Sequence, residues 1–127
     1  MKRILITDDE PYVLEGLRFL LRGPDREIDI ARNGREALDK IVARQPDLLI
    51  TDVMMPEMSG LELVAALRER EETRDLTIIV LTAKGQAFDA DRAEQDWGAV
   101  VLAKPFDPSK VRQLVTTALE AGSCPSA

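Results

Sequence analysis

Four short apolar runs punctuate the chain: Ile4-Leu5-Ile6, Leu48-Leu49-Ile50, Ile78-Ile79-Val80-Leu81 and Val100-Val101-Leu102. Each is continuous rather than alternating, the pattern of a strand buried on both faces of a sheet. Glu27 to Ala31 alternates charged and apolar residues and reads as a strand at a sheet edge. Between the runs lie segments with helical spacing. Val13, Leu17 and Leu20 share one helical face behind Pro11, a residue suited to a first helical turn. Asn33 stands three residues before Glu36, a capping-box spacing, ahead of Ala37, Leu38 and Ile41; Ser59 and Glu62 repeat it ahead of Leu63 and Leu67. Asp107 and Pro108 open a last helix with Val111, Leu114, Val115, Ala118 and Leu119 on one stripe. The segment from Gln86 to Asp96 makes a poor helix, with only Phe88 and alanines to bury, and is expected to be the most mobile.

The order is strand then helix, repeated five times. That alternation predicts an α/β fold: a doubly wound parallel sheet of five strands with helices on both faces. At 127 residues the chain is long enough for one domain with a substantial core. Residues 1–121 read as that domain, and Gly122 to Ala127 as a small-residue tail or the start of a linker.

Composition narrows the function classes. Lys+Arg is 17 and Asp+Glu 23, for a net charge of −6, which argues against direct nucleic-acid binding. Cys124 is the single cysteine, so no internal disulfide forms. The absence of histidine removes Ser-His-Asp catalysis, His-ligated zinc and a phosphohistidine on this chain. No apolar stretch approaches the roughly 18 residues that span a bilayer. The run after Met1-Lys2-Arg3 is too short for a signal peptide, so a cytoplasmic location is expected, with no membrane partner.

In parallel sheets of this kind, ligands bind beyond the carboxyl ends of the strands. Asp8-Asp9-Glu10 follows the first run, Asp52 the third strand, Thr82-Ala83 the fourth and Lys104-Pro105 the fifth. Singly, each has an ordinary reading as a turn former, a helix cap or a solvated charge. Together they set several carboxylates, a hydroxyl and an ammonium on one rim. Two carboxylates about 4 Å apart repel by roughly 4 kcal/mol at an effective dielectric near 20. Such a cluster calls for a cation, and Mg²⁺ suits oxygen ligands that also engage phosphate. A carboxylate beside a metal and a lysine can accept a phosphoryl group.

The segments Ile4-Leu5-Ile6-Thr7-Asp8-Asp9-Glu10-Pro11, Thr51 to Gly60, Leu81-Thr82-Ala83-Lys84-Gly85 and Leu102-Ala103-Lys104-Pro105-Phe106 resemble, in order, the motifs of receiver domains of two-component response regulators, the CheY-like fold. The resemblance covers about residues 2–121. It implies the flavodoxin-like strand order 2-1-3-4-5. It also implies that Asp52 is the phosphoacceptor, that Asp9 binds Mg²⁺ directly and Asp8 through water, and that the Met54 carbonyl completes the protein ligands. Thr82 and Lys104 would each meet a phosphoryl oxygen, Ala83 would leave room for the group, and the Lys104-Pro105 bond would be cis. The donor would be a sensor histidine kinase or a histidine phosphotransfer protein, with transfer to Asp52 catalysed by the receiver itself. Phosphorylation would draw Thr82 inward and alter the face of the fourth helix, fifth strand and fifth helix, where a downstream protein or a second copy would bind.

This sequence departs from the family at one switch position. An aromatic usually stands three residues before the lysine; here it is Val101. Trp97 or Phe88 could substitute, but both also read as packing residues. Met54 and Lys84, two residues after Asp52 and Thr82, offer no general base for a hydrolytic water, so slow dephosphorylation is expected. A flavodoxin-like cofactor binder is disfavoured because Asp8-Asp9-Glu10 would repel a phosphate. An aspartyl phosphatase is disfavoured because Asp52 is followed by Val53-Met54 rather than by a second acid two residues on. A phosphorylation-independent binding module, or the receiver piece of a longer regulator, remains the alternative.

Overall fold

The computed structural model describes residues 2–53, 55, 57–83, 98–104 and 107–121, the side chains of Ala83, Ala103, Lys104 and Ala121 excepted. Five strands pair in parallel: β1 (Lys2–Thr7), β2 (Arg26–Ala31), β3 (Leu48–Asp52), β4 (Thr77–Ala83) and β5 (Val100–Lys104), in the order β2-β1-β3-β4-β5. Helices α1 (Pro11–Leu21), α2 (Gly34–Ala43) and α3 (Gly60–Glu69), a 3-10 turn (Glu71–Thr73) and a C-terminal helix (Pro108–Ala121) accompany them. The expected helix over Gln86–Asp96 with Phe88, together with Lys84, Trp97 and the tail Gly122–Ala127, lies outside the described residues.

The sheet separates two apolar clusters. Successive side chains of a strand point to opposite faces. Ile4, Ile6, Leu48, Ile50, Ile79 and Leu81 therefore meet Leu14, Leu17 and Leu21 of α1 and Val111, Val115, Ala118 and Leu119 of the C-terminal helix. Leu5, Leu49, Ile78 and Val80 meet Ala37 and Ile41 of α2 and Leu63, Val64 and Leu67 of α3. This is why the strand sequences are continuously apolar: β3, at the centre, is buried at every residue.

The helix starts follow from local chemistry. Ser59 forms a full capping box with Glu62, each side chain accepting from the other's backbone N–H. Asn33 accepts from Glu36 N–H at 2.8 Å, but the Glu36 carboxylate turns one residue further back, to Arg32 N–H at 3.2 Å. Asp107 accepts from Ser109 N–H at 2.9 Å beside Pro108. Two expectations shift. The buried stripe of α1 is Leu14, Leu17 and Leu21, with Val13 and Leu20 on its flanks. Val100 and Val101 are half-buried, because β5 is a sheet edge rather than an interior strand.

The other edge, β2, is covered by charge. Lys40 Nζ donates to the Ile30 carbonyl at 2.6 Å and pairs with Asp29 at 3.2 Å, and Arg44 meets Glu27 at 3.3 Å. Exposed pairs of this kind each contribute less than about 1 kcal/mol. Their larger effect is to discourage another strand from adding to the edge.

Candidate functional site

The carboxyl ends of β1, β3, β4 and β5 lie along one end of the sheet. Asp8 directly follows β1, while Asp52, Thr82 and Lys104 belong to β3, β4 and β5 themselves, so these strands run further than their apolar runs. In register, Asp52 lies opposite Leu81, and Ala83 opposite Lys104. Thr82 is half-buried one residue along from Asp52's partner. Val101 pairs with Val80 and is also half-buried. The Met54 carbonyl, the Lys104 side chain and the Lys104-Pro105 bond lie outside the described residues.

Asp8, Asp9 and Asp52 each bring a carboxylate oxygen within 4.8 Å of the other two. Asp8 and Asp52 are buried and Asp9 is exposed, so the cluster opens to solvent on one side. At 4.8 Å two ionised carboxylates repel by about 3.5 kcal/mol for an effective dielectric near 20. The donor set is all oxygen and all anionic, which fits a hard divalent cation such as Mg²⁺ rather than a soft metal. Asp8 is fixed locally: its Oδ1 accepts from Glu10 N–H at 2.9 Å, and its N–H donates to the Ala31 carbonyl at 3.2 Å. Glu10 stands at the N-cap of α1 yet makes no side-chain cap there. Capping thus does not account for the Glu10 side chain, while Asp8 serves the turn that leads into α1.

The loop after Asp52 is held by close backbone approaches. Val53 N–H donates to the Leu81 carbonyl at 3.1 Å, and Gly60 N–H to the Val53 carbonyl at 2.8 Å. A Cβ on Gly60 would collide with the Asp52 carbonyl oxygen. Gly34, at the start of α2, donates from its N–H to the Met58 carbonyl at 3.2 Å. Between these anchors Glu57 adopts φ 66°, a left-handed conformation that costs a non-glycine residue about 1–2 kcal/mol. In the sequence, Gly60 closes the segment Thr51 to Gly60, and neither Gly34 nor Glu57 carries a motif. For Gly34 there was a signal: glycine at a helix start where alanine would favour the helix.

Thr7, the last residue of β1, lies between Ala31 and Thr51, is 1% exposed, and its Oγ1 has no hydrogen-bond partner among the described residues. Thr51 directs its own hydroxyl to the Asp52 carbonyl at 3.0 Å. Thr7→Val keeps the shape and removes an unsatisfied buried hydroxyl. It is expected to stabilise the fold by about 1 kcal/mol, read as a higher urea midpoint at unchanged slope. A lower midpoint would mean that the hydroxyl makes a bond worth keeping.

Sequence and structure comparisons identify the family. A sequence model described as the response regulator receiver domain matches residues 4–116. Response regulator Rre1 of Synechocystis sp. is 36% identical over 117 residues, 91% of this chain and 51% of Rre1. The chain thus spans about half the length of that relative. A crystal structure of response regulator protein TrrA from Thermotoga maritima in complex with Mg(2+)-BeF is 36% identical, with a TM-score of 0.80 over 94% of this chain and 100% of TrrA. The signal receiver domain of a signal transduction histidine kinase from Syntrophus aciditrophicus is 32% identical, with a TM-score of 0.85 over 95% of this chain and 92% of that one. With five parallel strands in matching order and a family match over most of its length, the chain belongs to the response regulator receiver domains of two-component signalling.

Proposed function

We propose that this receiver domain is a phosphorylation switch whose acceptor is Asp52. The observation that carries the reading is the meeting of Asp8, Asp9 and Asp52 at the end of the central strands. A cluster so costly in charge calls for a cation, and a cation held there can in turn receive an anionic phosphoryl group. A divalent ion there would supply positive charge to the carboxylates and to the incoming phosphoryl oxygens. Asp8, Asp9 and Asp52 would hold it, with the Met54 carbonyl as a further ligand.

The chain's own residues do the rest. One Asp52 carboxylate oxygen attacks the phosphorus of a phosphohistidine. The P–N bond breaks, its electron pair leaves with the imidazole, and an acyl phosphate remains on Asp52. Burial of Asp52 limits access by water while its exposed neighbour Asp9 marks the open side. Thr82 and Lys104 would each engage a phosphoryl oxygen from the neighbouring strands β4 and β5.

The donor would be a sensor histidine kinase or a histidine phosphotransfer protein in the cytoplasm, since this chain has no histidine. The output would be a downstream protein or a second copy bound at the face that includes β5 and the C-terminal helix. Lys110 and Arg112 are exposed there. Residues 1–121 would be the switch and 122–127 a tail or the start of a linker. Val101 favours a second reading, a phosphorylation-independent binding module, because it removes the usual aromatic reporter.

Incubation with acetyl phosphate and Mg²⁺, followed by intact-mass measurement, separates the two. One added phosphoryl group is expected, absent from Asp52→Asn and from an EDTA-treated sample. No added mass in a protein that still binds Mg²⁺ favours the binding module.

A further inference from the structure

Gly34 is buried at the first position of α2, far in sequence from the acidic rim. Its requirement for glycine is one of space. A Cβ there would lie 2.5 Å from the Met58 carbonyl oxygen and 2.9 Å from Met58 Cβ and Cγ. No real Cβ tolerates such an approach to backbone without a shift. The Gly34 N–H donates to that same carbonyl at 3.2 Å. The first N–H groups of a helix have no partner within it. Here the loop carbonyl supplies one, so the start of α2 and the loop after Asp52 complete each other.

The loop is short and fixed at both ends. Val53 is tied to β4 through the Leu81 carbonyl, and Ser59 begins α3 with a full capping box. Glu57, next to Met58, sits at φ 66°. Two residues after Met58, Gly60 N–H donates to the Val53 carbonyl at 2.8 Å, so a push on Met58 bears on Val53, the neighbour of Asp52.

We infer that Gly34 is a positioning residue for the acidic site, acting through Met58 to set where the loop after Asp52 lies. This rests on the reading of that site as one for Mg²⁺ and phosphoryl transfer. It also assigns α2 a part in the site, although α2 supplies no ligand to it.

The test compares Gly34→Ala with Asn33→Ala in the full chain. Asn33→Ala removes the side-chain cap on the same turn of α2 and adds no atom against Met58. Thermal unfolding in EDTA reports the stability of each variant. Calorimetric titration with Mg²⁺ and phosphoryl uptake from acetyl phosphate report the site. Gly34→Ala is expected to weaken Mg²⁺ binding by about tenfold, as when the support of a metal ligand is lost. Asn33→Ala should leave it within about twofold while lowering the melting temperature, as loss of a cap does. Equal Mg²⁺ affinity in the two variants overturns the inference. Wild-type protein that binds Mg²⁺ but takes up no phosphoryl group overturns the proposed function alone, and the Mg²⁺ affinities still judge Gly34. Wild-type protein that binds no Mg²⁺ overturns both.

Discussion

Gly60→Ala is expected to lower unfolding free energy by about 3 kcal/mol, the upper end of the cost of overpacking. The added methyl meets the Asp52 carbonyl oxygen and lies 3.2 Å from Val53 Cα, so backbone rather than a flexible side chain must yield. The hydrogen bond from Gly60 N–H to the Val53 carbonyl, 2.8 Å long, would be strained with it. Because the displaced atoms belong to Asp52 itself, phosphoryl uptake by the folded fraction should fall by about 100-fold, the cost of a misplacement near 1 Å. Denaturant unfolding and the rate of mass gain with acetyl phosphate check the two parts separately. A variant of near wild-type stability would mean that α3 can slide away from β3. Normal uptake in a destabilised variant would mean that Asp52 keeps its place.

Asp8→Asn should act in the opposite direction on stability. In EDTA the variant is expected to be more stable than wild type by about 2 kcal/mol, because one of three mutually repelling carboxylates is neutralised. The figure is below the full repulsion because Asp9 is exposed and screened. Asparagine retains an Oδ1 acceptor for Glu10 N–H, so the turn after β1 should persist. Adding Mg²⁺ should then separate the proteins. Wild type gains about 2.7 kcal/mol when the free ion reaches 100 times its dissociation constant, whereas the variant gains little. Thermal melts with and without Mg²⁺ measure both effects. If the variant were less stable in EDTA, the carboxylates would be compensated by the protein's own groups rather than by a bound metal ion.

These two sites differ in how readable they were. The acidic rim is legible because strand ends can be located from apolar runs, and residue types at those ends are in plain view. Ile4 to Ile6 and Leu48 to Ile50 place Asp8 and Asp52 almost without further argument. The face of α1 was harder. Val13, Leu14, Leu17, Leu20 and Leu21 form one broad arc, and periodicity identifies the arc but not its centre. Only packing under the sheet selects Leu14, Leu17 and Leu21. Asn33 and Glu36 had the same spacing as Ser59 and Glu62, yet only the latter pair closes reciprocally, because Glu36 reaches past Asn33 to Arg32. Gly34 shows only as a glycine at a helix start, and Glu57 does not show at all. Their significance lies in contacts or dihedral angles across a loop, and no local pattern encodes those.

The partition of the core by the sheet bears on how such a chain can diverge. Leu49 and Ile50 are neighbours in sequence but belong to different apolar clusters. Substitutions on the two faces share backbone yet few side-chain contacts, so their effects should approach independence. The α1 face and the α2–α3 face can therefore drift at separate rates. A lineage could remodel the surface on one side for a new partner without repacking the other. Only the strand ends, where Asp8 and Asp52 emerge, belong to both histories.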